Sequence, residues 1–180
     1  MPYNFLEVFF VNILILSGSP RKNSNSAAFA NEFKKGAESI GHTVTLFDVG
    51  NMKIGACLAC EYCHNKGNGE CIQKDGMQSI YPALNTADVI VFASAVHYWS
   101  FSGQLQSVIT RFYAPHKPTA KKYAMILSSH SPDVYNALIS QYTDMLDFFG
   151  AENLGIKTFC GTNQLTENNL KEIYDFGASL

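Results

Sequence analysis

Residues 11–17, VNILILS, constrain the fold more than any other stretch, because they form a short run almost continuous in Ile and Leu. A strand with one wet face alternates apolar and polar residues, whereas a run without alternation suits a strand covered on both faces. The period then changes. Ser24 or Asn25 can cap a helix whose apolar positions Ala30, Phe33, Ala37 and Ile40 step by 3, 4 and 3, and Gly41 stops it. The same exchange repeats along the chain. Further strands are expected at Thr43–Phe47, Asp88–Ser94, Lys122–Ser128 and Asn153–Phe159. Further helices are expected at Met77–Asn85, Ser102–Tyr113, Asp133–Phe149 and Leu165–Phe176. Strands alternating with helices imply right-handed βαβ units and a parallel sheet. Five strands and five helices then make a doubly wound α/β/α sandwich of three layers. Ligands of such sheets sit at the carboxyl ends of the strands. That rule points to the loops Gly18–Ser26, Ala95–Phe101 and Ser129–Asp133.

The 180 residues suit one domain, since domains run ~100–200 residues. Thirteen basic residues against fifteen acidic ones leave a net charge of −2. That balance argues against nucleic acid or an anionic membrane as a partner. No apolar run approaches the ~20 residues that span a bilayer. Residues 5–16 (FLEVFFVNILIL) are apolar, but Glu7 and Asn12 interrupt them and no basic residue precedes them, so a signal peptide is not expected. The domain pattern starts at Val11. Residues 1–10 are therefore set apart as an N-terminal extension, and residues 11–180 as a single domain with a cysteine-rich insertion at 55–75. Four of the five cysteines fall within positions 57–71, a clustering that suits a metal or cluster site in a reducing, cytoplasmic compartment rather than a disulfide framework. Cys160 is expected to be a buried small hydrophobe at the end of the fifth strand.

The loop after the first strand reads Ser17-Gly18-Ser19-Pro20-Arg21-Lys22-Asn23-Ser24-Asn25-Ser26. Hydroxyls, amides, a guanidinium and the N–H groups of a helix start converge there, and together they favour an anion. Arg21 adds bidentate donors, so a phosphate monoester is the natural guest. The Walker pattern GxxxxGK[ST] is absent, only Gly18 of a GxGxxG fingerprint is present, and no Cys-x5-Arg loop occurs. The run SPRKNSNS resembles the SPRxxSN[ST] phosphate loop of the NADPH-dependent FMN reductase family and of its iron–sulfur flavoproteins. The resemblance covers nearly the whole chain from Val11. It implies a flavodoxin-like fold of strand order 2-1-3-4-5, with FMN phosphate held by Ser19, Arg21, Ser24, Asn25 and Ser26.

The loop after the third strand reads SAVHYWS, with three aromatic or heteroaromatic residues in succession. Its backbone at Ala95 and Val96 can meet the edge of a flavin, with Tyr98 or Trp99 flanking the ring. Aromatic packing or a subunit contact is the plainer alternative. The family pattern here is SPxYxxxxxxQLKxxxDR. Ser94, Gln104, Leu105 and Arg111 match it, while Ala95, His97, Gln106 and Thr110 depart from it. His97 could donate a hydrogen bond to the flavin or relay a proton. Ser129 and His130 would complete the site by position.

Cys57-x2-Cys60-x2-Cys63-x7-Cys71 carries the most specific chemical signal. Cysteines at steps of three cannot share one face of a strand, but they converge in a loop or helical turn. Four thiolates suit a [4Fe–4S] cluster. Zinc, with His64 in place of one thiolate, and metal-free redox thiols are the alternatives. The spacing resembles the compact CxxCxxC…C of the iron–sulfur flavoproteins, and Asp75-Gly76-Met77 resembles their DDM.

The expected protein is an FMN-dependent oxidoreductase using NAD(P)H as co-substrate and reducing a small acceptor such as a quinone, a nitro or azo compound, or free flavin. The flavin carries the hydride chemistry, so no side chain need act as nucleophile. The alternative is an electron carrier linking a ferredoxin, a cluster and FMN. The resemblance also implies a homo-oligomer, a dimer or tetramer.

Overall fold

The computed structural model describes residues 10–115 and 117–180. The expected extension lies outside the described residues, apart from an exposed Phe10. In chain order the elements are β1 (Asn12–Ser17), α1 (Asn25–Ser39), β2 (Thr43–Phe47), a 3₁₀ turn at Val49–Asn51, the single turn α2 (Tyr62–Asn65) and α3 (Met77–Leu84). They continue with β3 (Val89–Ala95), α4 (Gly103–Thr110), a 3₁₀ turn at Arg111–Tyr113, β4 (Lys122–Ser129), α5 (Asn136–Phe149), β5 (Glu152–Cys160) and α6 (Glu167–Gly177). The five strands form one sheet in the order β2-β1-β3-β4-β5, and every pairing is parallel. This is the doubly wound sandwich that the alternation of strands and helices implied, in the flavodoxin-like order that the resemblance implied.

The strand period of two divides the core. Leu14, Leu16, Ile90, Phe92, Met125 and Leu127 point to the face covered by α3, α4 and α5. Ile13, Ile15, Val89, Val91 and Ile126 point to the face covered by α1 and α6. Helices α1 and α6 approach closely through two glycines. A Cβ on Gly36 would strike the Tyr174 carbonyl, and one on Gly177 the Phe33 carbonyl.

Three differences from the sequence reading go beyond a shift of one or two residues. Helix α5 starts at Asn136 because Asp133 takes a left-handed φ of 58°, which no helix tolerates. The α-helix expected over Ser102–Tyr113 stops at Thr110 and tightens into a 3₁₀ turn. The one-turn helix α2 lies within a stretch whose sequence has no period to mark it. Cys160 is also a correction: it is exposed, not buried, because β5 is an edge strand and only its neighbour Phe159 turns to the core.

Candidate functional site

Loop 17–26 is held where β1, β3 and α4 meet. Gly18 donates its N–H to the Ala93 carbonyl at 2.8 Å, and its own carbonyl accepts from Ser102 Oγ at 2.6 Å. Ser102 N–H in turn donates to Ser94 Oγ at 3.1 Å. A Cβ on Gly18 would lie 2.6 Å from Ser102 Oγ and 2.7 Å from Leu105 Cβ, so only glycine fits. Ser24 is the N-cap of α1, with extended backbone and its Oγ accepting from Ala27 N–H at 3.1 Å. The N–H groups of Asn25 and Ser26 have no partner available inside the helix. Ser26 Oγ lies 2.9 Å from Ser128 Oγ, which ties the helix start to the end of β4.

These residues wall a cleft of about 520 Å³ at the carboxyl ends of the strands. Ser19, Arg21, Ser24, Asn25, Ser26, Ala95, Val96, His97, Ser129 and His130, all singled out from the sequence, line it. The volume suits a cofactor site, which typically spans ~300–1,000 Å³. The cradle's donors suit a phosphate. Gln164 belongs to the same cleft and escaped the sequence reading. It is buried, and its amide donates to the carbonyls of Ser129 and Gly161, both at 2.8 Å. Its Oε1 is buried without a hydrogen-bond partner among the described residues, an acceptor waiting for a donor. The rule that ligands gather at strand ends would have found it if applied to β5.

Tyr98 and Trp99 stand apart. They do not line the cleft but form the tip of a tight turn, closed by reciprocal bonds between His97 and Ser100 of 2.9 and 3.0 Å. Both have positive φ, 48° and 58°, as both central residues of a type I′ turn do. That turn favours Asn-Gly, so two aromatics here hold strain. Tyr98 is 95% exposed and Trp99 57%.

Cys57, Cys60, Cys63 and Cys71 line one hollow, with Arg111, Tyr113 and Ala114 in its walls. The chain gets there through two left-handed residues, Ala59 and Glu61, with φ of 50° and 56°. Burial pushes the Cys63 thiol up, and the neighbouring Cys71 and Cys57 push it further, so the sulfurs share one field. Peptide N–H groups soften that repulsion: Ala59 donates to Cys57 Sγ at 3.4 Å.

The 3₁₀ turn after α4 is the base on which this loop rests. Cys57 N–H donates to Thr110 Oγ1 at 3.1 Å, and Tyr113 OH donates to Glu61 at 2.7 Å. Arg111, 1% exposed, donates to the Gly55 carbonyl at 2.9 Å, to Asp75 at 2.8 Å and to the Gln73 carbonyl at 3.5 Å. Burial alone would raise the pKa of Asp75. Arg111 and the N–H groups of Gly55 and Met77 outweigh it and hold the carboxyl below its usual range. Tyr81 sits near both Arg111 and Cys71, and burial pushes its phenol up to about 12.

Four cysteines facing one hollow are the donor set that a metal site here would use. Among the described residues no group of three or more His, Cys, Asp or Glu is placed to hold one metal ion. A zinc ion would need its sulfurs ~2.3 Å from one point. His64 is poorly placed to replace a thiolate, since Nε2 meets the Tyr113 carbonyl at 2.8 Å and Nδ1 lies 3.4 Å from Glu61. The hollow is tight, about 10 Å³, and the irregular, exposed Leu58–Glu61 segment forms one of its walls.

A donor-rich cleft at the strand ends of a 2-1-3-4-5 sheet defines a flavodoxin-like mononucleotide-binding protein. Residues 11–159 match the NADPH-dependent FMN reductase family, and the chain belongs to it. Among curated relatives, an iron–sulfur flavoprotein of Archaeoglobus fulgidus is 32% identical over 105 residues, 58% of this chain and 47% of that protein. An iron–sulfur flavoprotein of Methanocaldococcus jannaschii is 37% identical over 100 residues, 53% of this chain and 48% of that protein. The match thus spans about half the length of these curated relatives. Among solved structures, an NAD(P)H:quinone oxidoreductase from Methanothermobacter marburgensis superposes with a TM-score of 0.72 at 17% identity, covering 95% of this chain and 97% of that one. An FMN-dependent NADH-azoreductase from Bacillus anthracis, in complex with FMN, does so at 0.64 and 14%, covering 93% and 98%. No helix among the described residues is long and apolar enough to cross a membrane.

Proposed function

We propose that this protein is an FMN-dependent oxidoreductase taking reducing equivalents from NAD(P)H and passing them to a small acceptor, a quinone, nitro or azo compound, or free flavin. The observation that carries this reading is the cleft at the strand ends, lined by the donor-rich loop 19–26 and by the 95–97 and 128–130 loops. Bound FMN supplies hydride acceptance and return. The chain's task is to bind and orient it. Arg21, Ser19, Ser24 and the start of α1 neutralise and hydrogen-bond the phosphate. Gln164 Oε1 accepts from the ribityl chain or ring edge, and the exposed Tyr98–Trp99 turn borders the ring or meets a second subunit of a homo-oligomer. No second glycine fingerprint offers the nicotinamide its own site, so donor and acceptor use one open face in turn. Ping-pong kinetics follow, and intersecting rather than parallel double-reciprocal lines would count against a shared face.

The four cysteines favour a second reading, an iron–sulfur flavoprotein that passes electrons between a ferredoxin, a [4Fe–4S] cluster and FMN. One preparation separates the two. Protein purified without oxygen is examined by visible spectroscopy and assayed for iron, sulfide and zinc. Flavin bands with about four irons per chain support the electron carrier. Flavin bands with no iron support the simple reductase. A colourless protein that also refuses added FMN refutes both.

A further inference from the structure

Arg111 matches the family's sequence pattern, yet neither the phosphate cradle nor the flavin edge uses it. It is the bulkiest fully buried side chain, and it lies in the wall of the cysteine hollow. Its partners bracket the cysteines in sequence. The Gly55 carbonyl lies two residues before Cys57, and the Gln73 carbonyl two residues after Cys71. Asp75 completes the clasp, accepting from Arg111 at 2.8 Å and from Gly55 N–H at 2.9 Å. Gln73 adds a further tie across the same neck, its amide donating to the Ala56 carbonyl at 3.0 Å. One guanidinium therefore closes the loop that carries all four thiols. Its Nε is buried and makes no hydrogen bond of ordinary geometry among the described residues. Beside it, the buried Tyr81 phenol is close enough to Arg111 and Cys71 to interact with both.

We propose that Arg111 is the positioning residue of the cysteine site, clasping the two ends of its loop and setting the reduction potential of the group held there through its buried positive charge. The proposal rests on the reading that the four thiolates hold a [4Fe–4S] cluster. An electron from a ferredoxin-class donor, which is itself oxidised, adds one negative charge beside four thiolates. A buried cation nearby favours that more negative state, since fixed charges act strongly where water is excluded. It therefore raises the potential. Asp75 opposes it in part, and three hydrogen-bond donors spread its charge.

The two members of the pair make opposite predictions, which a purely structural role does not. The test is a reductive titration of FMN-loaded, anaerobically reconstituted protein, followed by the electron paramagnetic resonance of the reduced cluster. Iron and sulfide content establish loading, and FMN binding establishes the fold. Arg111→Gln lowers the potential and Asp75→Asn raises it. Each shifts the reduced-to-oxidised ratio at least tenfold at a fixed potential, about 59 mV for one electron. Arg111→Lys keeps the charge and loses the fork, so its potential stays near wild type while amide exchange over 55–75 quickens in the cluster-free protein. If Arg111→Gln loads no cluster, the double variant with Asp75→Asn, in which both charges are gone, is titrated instead and lies nearer to wild type than Asp75→Asn does. Loaded variants whose potentials coincide with wild type, or both shift the same way, overturn the proposal and leave the cluster standing. A wild-type protein that takes up no iron and sulfide overturns the cluster reading, and the proposal with it.

Discussion

The donor-rich cradle at 17–26 and the cysteine loop at 55–75 are both irregular backbone, but they are held in different ways. The cradle hangs from the ends of buried strands. Its ties are main-chain bonds and short hydroxyl bonds, Gly18 to Ala93, Ser102 to Gly18, Ser26 to Ser128, spread over four elements. The cysteine loop has no strand beneath it. Most of its long-range ties pass through the side chains of Thr110, Arg111, Tyr113, Gln73 and Asp75, one main-chain bond runs from Gly76 N–H to the Lys53 carbonyl at 3.0 Å, and one ion pair closes its neck. A site mounted on a sheet spreads its ties over many elements, whereas the neck of the cysteine loop concentrates them on Arg111 and Asp75.

Cutting the clasp is the harshest test of that contrast. Arg111→Ala leaves Asp75 with the N–H groups of Gly55 and Met77 alone and costs about 3 kcal/mol, the low end for removing one partner of a buried pair. Denaturation should show the loss, while the variant, where folded, binds FMN as before. Equal damage to both sites would erase the distinction. Acid breaks the same pair more gently. The folded pKa of Asp75 is depressed, so its contribution is complete above the ordinary carboxylate value of about 4 and fades as pH falls through and below that value. Urea midpoints measured from pH 6 downwards should fall more steeply for wild type than for Asp75→Asn. A parallel decline would mean that the pair carries no linkage.

The cradle should respond to smaller cuts and in binding rather than folding. Arg21→Ala removes a charge-assisted bond worth about 1.5–3 kcal/mol. FMN should bind more weakly by that amount, read from flavin fluorescence, while riboflavin, which has no phosphate, binds unchanged. An equal loss for riboflavin would place the phosphate elsewhere. Ser24→Ala removes the cap of α1 and should lower stability by about 1 kcal/mol. No change in the melting curve would show that the cap bond between Ser24 and Ala27 contributes nothing.

Most of the fold could be read directly. The apolar runs of β1, β3 and β4 announce strands buried on both faces, and the helical steps between them leave few ways to connect a parallel sheet. That the residues of loop 19–26 would gather at the strand ends was legible too, because they stand in succession at a helix start. What resisted reading has a common cause. Gln164 enters the cleft only because β5 ends beside β4. Cys160 is exposed because that strand lies at the edge.

By itself the sequence determined what is local: the periods of strand and helix, the caps, the run of donors around Arg21, and the spacing of four cysteines. Only the tertiary structure decided that these cysteines share one hollow and that Arg111, 40 residues beyond Cys71, closes it. The reason is physical. Short-range patterns follow from the geometry of a turn or a pleat, whereas a buried charge finds its partners through the packing of α4 against the rest of the core, and no spacing in the chain records that.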